Sequence, residues 1–278
     1  MGRVTDELRR RIGAPEILLL PGCFDALSAR LIEQAGAEAT FMSGFGVAAA
    51  RAGLPDIGLL SYGEVLDQGR SICEAVSIPV FGDADTGYGA DRNVRRTVGG
   101  FARAGFAAVM IEDQEWPKRC GHTPGKRVVP RSEAVARVRA AVAAREAGAD
   151  VLILARTDAL ATDGLDEAID RCLAFADAGA DLLFPEAPTS EAEMERLCRA
   201  LPLPVMANVV EGGLSPVLPP GRLEALGFSF AAYPLTCLSA AMRAMRAALS
   251  DLGGDGHGDL LLAFEEVKRI LGFPDQDG

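Results

Sequence analysis

Lysine is nearly missing from this chain. Its 278 residues hold three, at 118, 126 and 268, and only two histidines, His122 and His257. Twenty-eight basic side chains face 39 acidic ones, for a net charge of −11. That balance excludes the basic surface on which nucleic acid and anionic membrane depend. It does not exclude an anionic substrate, but a site for one must carry its own positive charge. No charge-free run of 18 or more apolar residues is present, so no membrane-spanning helix is expected. The apolar run near the N-terminus, about five residues, is too short for a signal-peptide core. The six cysteines, at 23, 73, 120, 172, 198 and 237, form no C-x-x-C pair. This argues against a disulfide framework or zinc site and fits a reducing cytoplasm. No linker or low-complexity block interrupts the chain, so residues 1–278 read as one domain.

What the chain does have is an apolar content of 49% and a recurring junction. "EQAGAEATFMSG", "RAGFAAVMIED", "EAGADVLILARTD", "DAGADLLFPEA" and "EALGFSFAAYP" each place a glycine where a helix would end, then a short apolar run, then polar residues. The glycine suits a left-handed C-cap, and the run suits a strand buried on both faces. With three further runs, eight strands are expected near 17–20, 39–43, 78–82, 107–111, 151–155, 181–184, 204–207 and 228–232. Helical patterns fall at 24–35, 61–76, 92–104, 131–147, 166–178, 189–200, 220–226 and 235–251. Strict alternation over eight units favours an α/β fold of the (β/α)8 barrel type over an open doubly wound sheet. A C-terminal amphipathic stretch, about 252–273, reads as an extra helix, packed on its own barrel or on a neighbouring subunit.

Catalytic groups of such a barrel gather where strands end. Here those positions carry Ser43 and Gly44, Asp83 and Asp85, Glu112, Arg156, Glu186, Asn208, and Tyr233 with Pro234. Asp83 and Asp85, two apart, point to one side if the backbone is extended. With Glu112 they form a hard oxygen set suited to Mg²⁺. Arg156 closes an apolar run, where it could clamp a substrate carboxylate or pair with Glu112 or Glu186. No lysine falls in a strand, so a Schiff-base mechanism has no candidate and carbon–carbon chemistry would run through the metal.

Two of the three lysines and one histidine share the segment "PKRCGHTPGK", residues 117–126, within a long connection from about Gln114 to Pro130. Connections of that length are usually lids or binding loops. Gly121 and Gly125 offer hinges. Cys120 lies between Arg119 and His122, with Lys118 near, and cationic neighbours favour thiolate. Such a cysteine can donate or accept a proton, or act as a nucleophile. His257, in "GGDGHGD", carries no assignment.

Taken together, "GDADTGYG", "MIEDQ", "KRCGH", "ARTDA", "FPEA", "ANVVEGG" and "AAYPL" resemble the isocitrate lyase/phosphoenolpyruvate mutase superfamily, in its order and over about residues 14–252. The resemblance implies a barrel, a mobile lid, Mg²⁺ (with Mn²⁺ as a substitute) and a 2-oxo or 2-hydroxy acid substrate. It implies a homo-oligomer, a tetramer in which paired subunits exchange the C-terminal helix. Carried over by motif, Asp83 and Asp85 would hold the metal, supported by Asp56 and Glu112. Ser43, Gly44, Phe45 and Arg156 would hold the α-carboxylate, and Gly121 and Pro234 would line the substrate site. Arg119, His122, Glu186 and Asn208 would stabilise the departing fragment, and Cys120 as thiol would protonate it. Glu112 or a metal-bound water is the candidate base. A protonated donor conflicts with the thiolate that basic neighbours favour. Thr123 and Ser239 stand where tricarboxylate lyases carry arginine. "NVVEGG…PVLPP" is instead similar to dimethylmalate lyases, petal-death-type lyases and carboxyphosphonoenolpyruvate mutases. The expected activity is carbon–carbon cleavage of a 2-alkylmalate such as 2,3-dimethylmalate. The alternatives are a phosphonomutase, an oxaloacetate decarboxylase or hydrolase and, further off, a methylisocitrate lyase.

Overall fold

Each of the eight apolar runs forms a strand in the computed structural model, which describes residues 3–250, 252 and 260–274. The strands are β1 (Leu18–Cys23), β2 (Thr40–Met42), β3 (Val80–Asp83), β4 (Ala108–Glu112), β5 (Leu152–Thr157), β6 (Leu182–Pro185), β7 (Met206–Asn208) and β8 (Phe230–Tyr233). The helices, in chain order, are α1 (Arg3–Ile12), α2 (Ala26–Gln34), α3 (Gly44–Val47), α4 (Tyr62–Ala75), α5 (Asp91–Ala104), α6 (Arg131–Glu146), α7 (Ala159–Asp163), α8 (Leu165–Asp177), α9 (Glu191–Ala200), α10 (Pro220–Leu226), α11 (Thr236–Ser250) and α12 (Phe264–Leu271).

All strand pairings are parallel, in the order β6-β5-β4-β3-β2-β1-β8-β7. A bridge from Leu183 to Val205 joins the two ends, making a (β/α)8 barrel. That last seam is thin because β7 begins only at Met206, two residues after the expected start. The five junction glycines behave as expected. Gly36, Gly105, Gly148, Gly179 and Gly227 all take positive φ, between 87° and 105°. Only glycine adopts that conformation without strain from a Cβ.

Two apolar clusters divide the core. Inside the barrel, Phe41, Phe81, Met110, Leu154, Phe184 and Phe230 stack in layers; outside, Ile72, Val98, Phe101, Ile153 and Leu197 pack helices on strands. The inner cluster includes Leu8 and Ile12 of α1, which therefore plugs the bottom of the barrel. α1 is invisible to a search for β–α units: it is short, basic and precedes the first strand. At the other end, the expected helix over 252–273 is shorter. α12 starts at Phe264, with Leu260–Ala263 outside the helix, and rests on α2 through Arg30 Nη1 donating to the Leu271 carbonyl at 3.1 Å. His257 lies outside the described residues.

Candidate active site

The strand ends converge as the barrel geometry requires. The mouth holds a small cavity, about 50 Å³, lined by Ser43, Phe45, Asp56, Asp83, Cys120, Gly121, His122, Arg156, Glu186, Asn208, Val210, Pro234 and Leu235 above a floor of Phe41, Met110, Phe184 and Met206. A buried water needs about 10–15 Å³ on such a measure, so the space is that of a few waters. Eleven of the expected site residues share this lining. Glu112, Asp85, Gly44 and Arg119 do not.

The connection between β4 and α6 lies folded over the mouth. Its two stems pair as a short antiparallel ribbon, with a bridge from Gln114 to Val128. Two buried arginines fix the stems. Arg137 Nη1 donates to the Gln114 carbonyl at 2.8 Å, and Arg171 Nη1 donates to the Val129 carbonyl at 2.9 Å and to Asp113 Oδ2 at 3.0 Å. Burial, then the charge of Asp158, raise the Asp113 carboxyl above its usual range. At the tip, His122 Nδ1 accepts the Leu214 N–H at 3.0 Å, so the ring proton sits on Nε2, 3.2 Å from Glu186 Oε1. Asn208 Nδ2 donates to both oxygens of Glu186 at 3.2 Å. Burial opposes ionisation of Glu186, but Arg156 and the hydrogen bond from His122 hold its carboxyl down at about 2.

Gly121 is a point of contact rather than a visible hinge. A Cβ there would stand 2.5 Å from Glu186 Oε2 and 2.6 Å from Arg156 Nη2. Gly125, with φ of 81°, keeps the left-handed turn. Arg119 disagrees with the expectation. Its side chain is exposed and lies across Gly125 in a separate cavity behind the loop, because its backbone is turned outward by paired hydrogen bonds to Gln114.

Cys120 corrects a second expectation. The charged neighbours in sequence, Lys118 and Arg119, do not face the thiol in space. Lys118 is buried against Asp56 and Asp85, and Lys126 against Asp158 at 2.9 Å. Burial therefore dominates and, helped by the charges of Asp56 and Glu186, pushes the Cys120 thiol up, not down. The conflict between thiolate and proton donor disappears.

The carboxylate wall also differs from the expectation. β3 ends at Asp83, and Asp85 takes a left-handed φ of 49°, so the extended-backbone argument fails. Asp83 faces the cavity and accepts from the Asp85 and Gly44 N–H groups at 3.0 and 3.2 Å, which is why Gly44 is not free to hold a substrate carboxylate. Asp85 turns to Lys118 at 2.7 Å, an ion pair without hydrogen-bond alignment. Glu112 sits behind the wall, its Oε2 3.4 Å from Arg156 Nε and its buried Oε1 without a hydrogen-bond partner. Burial and the charge of Asp85 raise Asp83 to about 6. Burial lifts Glu112 well above the usual carboxylate range despite Arg156. Although burial opposes it, Asp85, Asp56 and Asp83 hold Lys118 well above its usual range.

These residues fit a hard divalent cation. Their carboxylates offer only oxygen, and two buried carboxylate oxygens lack hydrogen bonds. Among the described residues, no three His, Cys, Asp or Glu side chains enclose an ion-sized point. The fit is thus to an ion that keeps most of its waters, as Mg²⁺ does. Arg156 joins everything. Its Nε and Nη2 donate to Asp158 at 2.9 and 3.1 Å, and Nη2 lies 3.2 Å from Glu186 Oε2. The ion pairs with Glu112 and Glu186 are present; Asp158, its best-aligned partner, stands just past the same strand end and carried no role from sequence.

A lid-covered, carboxylate-lined mouth at the strand ends of a (β/α)8 barrel is where enzymes of this fold place their catalytic groups. The comparisons with known proteins agree. The phosphoenolpyruvate phosphomutase family model matches residues 8–252. The chain is 40% identical to 2,3-dimethylmalate lyase of Eubacterium barkeri over 270 residues, covering 96% of this chain and 93% of that protein. Among solved structures, oxaloacetate acetylhydrolase with the inhibitor 3,3-difluorooxalacetate superposes with a TM-score of 0.91 at 35% identity, covering 96% and 93% of the two chains. Phosphonopyruvate hydrolase in complex with oxalate and Mg²⁺ does so at 0.85 and 30%, covering 96% and 94%. The chain belongs to the phosphoenolpyruvate mutase/isocitrate lyase superfamily and is an enzyme of that kind.

Proposed function

We propose that the protein is a Mg²⁺-dependent lyase that cleaves the C2–C3 bond of a 2-hydroxy dicarboxylate of the 2-alkylmalate type, releasing a 2-oxo acid and a carboxylic acid. The observation that carries this reading is the Cys120 thiol. It is kept protonated by burial and stands in the same small cavity as Arg156, His122, Glu186 and Asn208. Asp83 and Asp85, with Asp56 and Glu112, would hold Mg²⁺ (or Mn²⁺), which when bound supplies a Lewis acid for the substrate's oxygens. Ser43, Phe45 and Arg156 would seat the α-carboxylate. The substrate hydroxyl gives its proton to the carboxylate wall. The C2–C3 electron pair leaves with C3 as the enolate of the second carboxylate, and C2 becomes the 2-oxo group. His122 and Asn208 face that fragment, and Cys120 Sγ delivers its proton to C3.

Size and charge support a dicarboxylate. The cavity is small, Arg156 is the one arginine in its described lining, and Thr123 and Ser239 offer nothing to a third carboxylate. The Thr123 hydroxyl donates to the Cys120 carbonyl at 2.7 Å, and Ser239 is exposed on α11. Apolar Phe45, Val210 and Leu235 suit an alkyl substituent. The exposed apolar side chains of α11 and α12, among them Met245, Leu249 and Phe264, favour a homo-oligomer in which C-terminal helices pack on a second subunit. Six free cysteines suit a reducing cytoplasm. The test is a panel of 2,3-dimethylmalate, other alkylmalates, methylisocitrate and oxaloacetate, assayed for 2-oxo acid with and without Mg²⁺, with ³¹P NMR for phosphonates. Alkylmalate cleavage is expected. Oxalate release from oxaloacetate, or a phosphorus–carbon product, would replace this reading.

A further inference from the structure

The lysines of the loop are spent in different places, and Lys126 is left without a role in the reaction above. Its side chain is buried, with an exposure of 3%. It makes two contacts. One is a short hydrogen bond to the carbonyl of Gly121, the residue that follows Cys120. The other is to Asp158 Oδ1 at 2.9 Å. Asp158 is itself fully buried and rigidly placed: its backbone N–H donates to Asp113 Oδ1 at 2.9 Å, and its carboxylate receives Arg156 through two nitrogens.

We propose that Lys126 is a positioning residue that seats the proton donor. By bridging the Gly121 carbonyl and Asp158, it fixes the backbone beside Cys120 to the same carboxylate that orients Arg156, so that the lid's acid and the barrel's arginine share one anchor. The inference rests on the reading of Cys120 as the acid of a lyase. Two features favour a positioning role over simple packing. Gly121 is already pressed against Glu186 and Arg156, so its carbonyl position fixes how deep the loop sits. The cluster around Arg156 contains Asp158, Glu112 and Glu186, and Lys126 is the second cation that offsets them.

Lys126→Met keeps the length and apolar stem but removes the charge and the donor. Misplacing a reacting group by about 1 Å costs on the order of 10²-fold, so kcat should fall by about that factor while KM changes less than about threefold. A second readout needs no substrate: alkylation of Cys120 by iodoacetamide, read by peptide mass spectrometry with Mg²⁺ present, should quicken about tenfold or more, since an unseated loop bares the thiol. Lys126→Arg, which keeps a cation and donors, should lie nearer the parent protein on both readouts. If Lys126→Met fails to fold, Lys126→Gln is held to the same alkylation test. Unchanged Cys120 alkylation in the folded variant overturns the proposal, as does an unchanged kcat. If no acid of the panel is turned over, the proposed function falls, and the alkylation comparison alone still decides the role of Lys126.

Discussion

Gly121→Ala is the smallest change that should stop the lid from closing. The added methyl would lie 2.5 Å from Glu186 Oε2 and 2.6 Å from Arg156 Nη2, about 0.9 Å short of the 3.4 Å at which ordinary contact begins. Glu186 cannot give way, because His122, Asn208 and Arg156 hold its oxygens at 3.2 Å each. Moving it would also uncover a buried charge, which is costly. The loop must therefore lift by nearly 1 Å, taking Cys120 with it. A displacement of that size costs on the order of 10²-fold in rate, or about 2.7 kcal/mol of transition-state stabilisation. The loss should fall on kcat, while the melting temperature changes little because the barrel core is untouched. Trp116, the chain's single tryptophan, stands on the lid with its ring 6.4 Å from that of Tyr88, so its fluorescence reports closure independently. A kcat within about threefold of the parent, with the parent's Trp116 emission response to substrate and Mg²⁺ retained, would refute the reasoning.

Arg156→Met should be worse for stability: it strands Asp158, Glu112 and Glu186 together, and breaking a buried pair costs about 3–5 kcal/mol, measurable by urea unfolding. The pH dependence has a definite sign. Because burial raises the Cys120 thiol, the proton-donating form persists to higher pH than a free thiol of about 8.5 would allow; the iodoacetamide rate should inflect above that value, and an inflection below it would contradict the burial argument. Charge placed on the exposed face of α11, as in Met245→Glu with Leu249→Glu, should reduce the mass seen in sedimentation toward the 29.2 kDa of one chain; an unchanged mass would place the contact elsewhere.

Much of the fold was legible because barrel strands announce themselves. Apolar runs such as "VLILAR" are buried on both faces, and a left-handed glycine ends the helix before five of them. Strand ends then nominated most of the cavity lining. What was not legible depends on where long side chains go. Lys118 and Arg119 are adjacent in sequence, yet one is buried among carboxylates and the other is exposed behind the loop. Proximity in sequence therefore misjudged the environment of Cys120. Asp85 was misread because it turns to left-handed φ two residues beyond the end of β3, a backbone event that alternation cannot reveal. α1 was missed since its helix is supported by plugging the barrel, a tertiary effect with little local signal.

The most direct test of the account is turnover of 2,3-dimethylmalate with Mg²⁺ by the parent protein and by Cys120→Ser, followed as release of the 2-oxo acid. A hydroxyl is a far weaker acid than a thiol, and a positioned general acid contributes about 10²–10⁴-fold. The account predicts cleavage by the parent and a loss within that range in the variant, with Mg²⁺ affinity retained. Cleavage at the parent rate by Cys120→Ser would contradict it.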